Sequence, residues 1–186
     1  IATFTADLCE AVAHQAGTSQ DVFTVAMNDI PEGYPYPDRV RFEVRQAVQT
    51  DYRLAAEFLN IQQVSVVCMQ HEYGIYGGPS GSHVLGLLRR LRRPLVVTLH
   101  TVLREPTDQQ RLVLKEVLRL ATRVVVMSET GLGILHDVYD LPEGKAGLIH
   151  HGIPEVPFVD PNFYKDQFGV EEIGRASCRE RVYTKV

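Results

Sequence analysis

Four short apolar runs, each ending in polar and mostly histidine-bearing residues, constrain this chain more than any other feature. Val64 to Met69 leads into Gln70, His71 and Glu72, and Pro94 to Thr98 leads into His100 and Thr101. Arg123 to Met127 leads into Ser128 and Glu129, and Ala146 to Ile149 into His150, His151 and Gly152. Continuous β-branched runs without alternation describe strands buried on both faces, and the helical periodicity between them describes the elements that cover those faces. The expected fold is α/β, a parallel sheet with helices on both faces. All strands of such a sheet open their carboxyl ends on one edge, where ligands bind. Four polar tips on one edge describe a cleft.

The remaining sequence sets the other expected elements. Thr5 to Ala16 reads as a helix with Phe4, Leu8, Ala11 and Val12 on one face and a threonine in the cap position. A doubly wound sheet would carry its first strand and a glycine turn just before such a helix, so both are expected to precede Ile1. Val22 to Met27 reads as a strand. Asp29 to Arg39 reads as a loop, because Pro31, Gly33, Pro35 and Pro37 break any ladder or helix. The alternation of Val40, Phe42 and Val44 describes a short edge strand. Asp51 to Ile61 is expected to be a helix with Leu54, Phe58 and Ile61 inward. A glycine-rich loop, Tyr73 to Gly81, precedes a helix from Ser82 to Arg92 whose Val84, Leu87, Leu88 and Leu91 recur at helical spacing. Asp108 to Ala121 and Glu129 to Tyr139 complete the helices.

Charge and cysteine usage narrow the functional classes once the carboxyl end is set apart. From Glu172 the string EIGRASCRERV resembles the in-frame translation of a short-read sequencing adapter, so residues 172–186 are expected to be non-native; the alternative is a basic tail or terminal helix. The rest carries 15 Lys and Arg against 21 Asp and Glu, an acidic balance that argues against non-specific nucleic-acid binding. Cys9 and Cys68 are the cysteines outside that tail. One falls in an expected helix and one in an expected strand, which predicts buried free thiols in a reducing compartment and not a disulfide, and their spacing excludes a zinc knuckle.

The order of motifs carries a resemblance. The segments QHEYGIYGG (70–78), VVTLHT (96–101), VVVMSE (124–129) and LIHHGIP (148–154), preceded by IATFTADL (1–8), resemble the amino-terminal domain of a retaining GT-B glycosyltransferase of the family 4 type. The resemblance covers nearly all of residues 1–170. It implies two Rossmann-like domains facing across a cleft, the first binding acceptor and the second a nucleotide-activated sugar. It also implies that this chain is a truncated half: an amino-terminal domain over 1–157, a linker over 158–171, and a carboxyl domain with paired glutamates that is absent. A fragment of that kind is expected to be inactive alone, although its parent is a hexosyltransferase working with retention. The nucleotide sugar is then a co-substrate, with no cofactor and no metal expected.

Glycosyl transfer breaks a sugar–phosphate bond through an oxocarbenium-like state, so such an enzyme must hold a developing diphosphate charge and aim one acceptor hydroxyl at the anomeric carbon. Backbone amides of a glycine turn at a helix amino terminus suit the diphosphate without a metal. His100 resembles the family's histidine after the central strand, which reaches toward donor sugar and reacting centre; the alternative is a loop-anchoring histidine bonded to backbone. Gln70, His71, Glu72, Gly77, Gly78 and Thr101 are candidate acceptor or donor-sugar contacts, with loop capping as the alternative for Gln70 to Glu72. Ser128 and Glu129 join them, although serine followed by glutamate also opens a helix. His150 and His151 read as a structural pair marking the crossing between domains, with His151 and Gly152 as the hinge. His14, His83 and His136 lie on helices and read as surface residues.

Two competing readings remain open in the sequence. His71, Glu72 and His100 contain a two-histidine, one-carboxylate set, but no short spacing such as HExxH supports a metal hydrolase. A stand-alone carbohydrate- or nucleotide-binding module would use the same strand tips without catalysis. Arg89, Arg90, Arg92 and Arg93 form a basic cluster at a helix end, suited to the helix dipole and solvent or to anionic lipid. The resemblance implies a cytoplasmic protein, with peripheral membrane contact through those arginines as the alternative to a solvated helix end, and the acidic balance implies no nucleic-acid partner.

Overall fold

The apolar runs form parallel strands, and the periodic segments between them form helices. The computed structural model describes residues 1–17 and 22–152. Residues 1–149 make one unit, and residues from His150 onward belong to another, of which His150 to Gly152 are described. In chain order the elements are α1 (Ala2–Ala16), β1 (Thr24–Asn28), β2 (Val40–Arg45), α2 (Gln49–Ile61), β3 (Val67–His71), α3 (Val84–Leu88), β4 (Leu95–Leu99), α4 (Asp108–Leu120), β5 (Arg123–Val126), α5 (Glu129–Tyr139) and β6 (Ala146–Leu148). Every ladder is parallel: β1 pairs with β2, and a second sheet runs β3-β4-β5-β6. The expected linker over 158–171 and the tail over 172–186 lie outside the described residues.

The core follows from the pattern that predicted it. Leu95, Val97 and Leu99 of β4 and Val124 and Val126 of β5 are buried, and Leu114, Val117 and Leu118 of α4 with Ile134 and Leu135 of α5 belong to the same cluster. Both helices start where the chain supplies a cap. Thr107 accepts from the Gln110 amide while the Gln110 side chain returns a bond to the Thr107 N–H, a reciprocal box that satisfies two donors of the first turn of α4. Ser128 does the same work for α5 by accepting from the Gly131 amide at 3.0 Å.

Several expectations are corrected by tertiary context. The buried face of α2 is Tyr52, Ala55, Ala56 and Leu59, whereas Leu54 and Ile61 are exposed. Tyr52, Ala55 and Leu59 share the i, i+3, i+7 stripe that faces β2 and α3, and small alanines let those elements approach closely. In α1, Ala11 and Val12 are exposed and Ala13 is the buried residue; the cap position before the helix is Ile1, which offers no side-chain hydrogen bond, so no threonine caps it. β3 begins at Val67 because its ladder to β4 starts with Val67 opposite Leu95. The helix expected over 82–92 is reduced to Val84–Leu88, preceded by a 3-10 turn at Pro79–Gly81. Asn60 of α2 ends it: its side chain donates to the Arg90 carbonyl and accepts from the Arg92 amide, which leaves the helical ladder. Cys68 is exposed, not buried, since β3 has a ladder partner on the β4 side alone among the described residues. His136 and His83 are half-buried and not surface residues; His136 is held through Nδ1 by the Leu141 carbonyl.

Candidate functional site

Parallel pairing brings the ends of β3, β4 and β5 to one edge, with Gln70 opposite Thr98, and Leu99 opposite both His71 and Val126. The His100 amide continues the ladder by donating to the His71 carbonyl at 3.1 Å, which sets the His100 side chain next to that of Gln70. Gln70 Oε1 then accepts from His100 Nε2 at 2.9 Å. Phe4 of α1 meets the His100 ring edge-on, with centroids 4.9 Å apart. Gln70 is itself fixed, being buried with its backbone carbonyl bonded to the Tyr76 hydroxyl at 2.7 Å. Just beyond the ends of the two strands, the Thr101 hydroxyl donates to Glu72 Oε2 at 2.5 Å, and the Tyr73 amide donates to Oε1 at 2.9 Å.

Gln70, Glu72, His100 and Thr101 thus form one polar cluster built from two adjacent strand ends. His71 lies beneath it at 1% exposure, its ring edge-on to Tyr73. Burial holds its imidazole down to about 4, outweighing the opposing pull of Glu72, so His71 is neutral at pH 7. Its Nδ1 is buried without a hydrogen-bond partner. Burial also raises the Tyr76 and Tyr73 hydroxyls far above their ordinary range, keeping both as protonated groups.

The other sequence-predicted residues sit apart from this cluster. Gly77 and Gly78 have a packing reason to be glycine: a Cβ at Gly77 would lie 1.9 Å from the Gln46 carbonyl oxygen, and Gly78 takes φ +77 against the His83 ring. The Gly77 amide donates to the Tyr52 hydroxyl at 2.9 Å, and that hydroxyl donates to the Gln46 carbonyl at 2.8 Å. Ser128 is occupied as the cap of α5, and Glu129 is exposed in its first turn. In the second unit His151 bonds through Nδ1 to the Gly152 carbonyl at 2.6 Å. Among the described residues no group of three or more His, Cys, Asp and Glu is placed to hold a metal ion, and no helix is long and apolar enough to cross a membrane.

Phe4 and Tyr76 are members of the site that the motifs did not single out. Tyr76 stands inside a segment that was recognised, so its aromatic character among glycines was an available signal. Phe4 carries no such signal, because only the packing of α1 against the β3 and β4 tips brings it to His100.

A parallel α/β domain with a polar cluster at the carboxyl edge is what an enzyme domain handling hydroxyl-rich ligands requires, but the fold alone serves many chemistries. No curated protein matches the chain. Residues 1–155 match the family model described as Glycosyltransferase Family 4. With five-sixths of its length matched in that way, and with the fold the family requires, the chain belongs to glycosyltransferase family 4.

Proposed function

We propose that the chain is the acceptor-side domain of a retaining hexosyltransferase that moves a sugar from a nucleotide-activated donor to an acceptor hydroxyl without a metal, with His100 at the reacting centre. In that reaction the bond between the anomeric carbon and the diphosphate oxygen breaks, and the diphosphate leaves with the electron pair. The acceptor oxygen bonds to the same carbon on the same face and gives up its proton to the departing diphosphate oxygen. The observation that carries the reading is the Gln70–His100 hydrogen bond, with Phe4 against the ring. It presents one imidazole in a defined orientation at the strand edge, beside a Glu72–Thr101 pair able to receive sugar hydroxyls. Orientation of that kind is worth most where charge develops in the transition state.

The donor site and the rest of the catalytic machinery belong on this proposal to a second Rossmann-like domain, with His151 and Gly152 at the hinge, and residues 1–186 alone are inactive. Contact with an anionic membrane would fall to Arg89, Arg90 and Arg92, because Arg93 is half-buried with its guanidinium on the Asn60 carbonyl.

The test uses the full-length parent enzyme. His100→Ala is expected to lower turnover about a hundredfold or more, the scale of losing one well-placed transition-state hydrogen-bonding group, while the melting curve stays intact. His14→Ala, on the exposed face of α1, is expected to change little. Turnover per folded molecule unchanged in His100→Ala would end the assignment.

A further inference from the structure

A groove of about 370 Å³ runs between α2 and α3, lined by Gln49, Arg53, Ser82, His83, Arg89 and Arg90 along with Leu85 and Gly86. Three guanidinium groups line it, Arg53 from α2 and Arg89 and Arg90 from the turn that ends α3, and no carboxylate does. Among the described residues Arg53 has no hydrogen-bond or ion-pair partner. Arg90 uses a single N–H, from Nη1 to the Gly86 carbonyl. Arg89 uses Nε alone, on Glu116, a carboxylate shared with Arg119, so its charge is partly offset and Arg53 and Arg90 carry most of the positive potential of the groove.

Like charges gathered on one concave surface repel one another, and the arrangement is relieved when an anion enters. Guanidinium forks match phosphate oxygens in pairs, and the Ser82 hydroxyl and Gln49 amide add neutral donors of the kind that orient such a group. The volume exceeds a single phosphate and suits a diphosphate or a phosphorylated sugar.

We infer that the α2–α3 groove is a binding site for a phosphate-bearing anion, with Arg53 and Arg90 as its principal ligands. The inference does not rest on the transferase reading of the strand-tip cluster. The phosphate belongs either to a soluble ester or to a phospholipid headgroup, and the two are separable by experiment.

Inorganic pyrophosphate titrated calorimetrically into the purified chain at constant ionic strength should bind saturably and shift the His83 ring resonances in the NMR spectrum. Arg53→Gln and Arg90→Gln should each weaken binding about tenfold or more, as expected for losing one charge-assisted contact. Arg104→Gln, an exposed arginine outside the groove, should leave it unchanged. A lipid source would instead give co-sedimentation with vesicles of phosphatidylcholine and phosphatidylglycerol in equal parts, dependent on the same two arginines, with pyrophosphate silent. The inference is overturned if neither probe binds, if Arg104→Gln weakens binding as much as Arg53→Gln, or if the His83 resonances stay still at saturation. All three arginines are exposed, so the variants are expected to fold, and a far-ultraviolet circular dichroism spectrum of each checks this.

Discussion

Tyr52→Phe isolates the hydroxyl that ties the glycine-rich loop to the rest of the domain. The ring is fully buried, and its hydroxyl accepts from the Gly77 amide at 2.9 Å while donating to the Gln46 carbonyl at 2.8 Å. Phenylalanine keeps the ring and removes both bonds at once. It leaves a backbone donor and a backbone acceptor without their partner in a half-buried position. An orphaned buried polar group costs about 1–3 kcal/mol, so the pair should cost about 2–4 kcal/mol after allowing for the hydroxyl's own desolvation. That is a large share of the roughly 5–15 kcal/mol that holds a domain of this size folded, and corresponds to a fall in melting temperature of about 5–10 °C. Urea denaturation followed by circular dichroism at 222 nm should show the midpoint falling with the slope unchanged, since the surface exposed on unfolding is nearly the same. A loss below about 0.5 kcal/mol would refute the reasoning, because it would mean that the two backbone groups find other partners and that the hydroxyl bridge does not hold the loop.

Three further outcomes follow from the same physics. His71 is protonated at about 6.5 in the unfolded chain and at about 4 when folded, so the unfolded state binds the extra proton first: its contribution is fully present above pH 6.5, is lost as pH falls toward 4, and amounts to up to about 3 kcal/mol. Urea midpoints measured from pH 8 to 4.5 should fall along that window for the wild type and flatten in His71→Gln; a flat wild-type profile would contradict the buried neutral imidazole. Gly77→Ala places a Cβ 1.9 Å from a backbone oxygen and should cost more than about 3 kcal/mol or prevent folding. Gly133→Ala, in α5 with nothing within 4 Å of the added carbon, should stabilise by about 0.5–1 kcal/mol, and equal behaviour of the two variants by thermal melting would show that the loop relaxes.

What the sequence determined by itself was what local chemistry decides. Continuous β-branched runs such as Pro94 to Thr98 and Arg123 to Met127 identify doubly covered strands, and their parallel pairing follows from the helices between them. The spans of α4 and α5 were legible within a residue because Ser128 caps one, and the apolar stripe of each runs unbroken. The chemistry at the strand ends, Gln70 to Glu72 and His100 to Thr101, was also legible, since a parallel sheet must bring those ends to one edge.

Tertiary structure decided the rest. Which face of α2 turns inward depends on the alanines that permit close approach, so the larger Leu54 and Ile61 lie outside. The end of α3 is set by the side chain of Asn60, a residue of another helix. The division of labour at the edge is likewise tertiary: His71 and His100 follow the same kind of strand, yet one is buried in a neutral state and the other is held by Gln70 and Phe4 beside a polar pair. A sequence records which groups are available at each strand end, but burial and partnership are properties of the neighbours that packing supplies, and those neighbours come from distant parts of the chain.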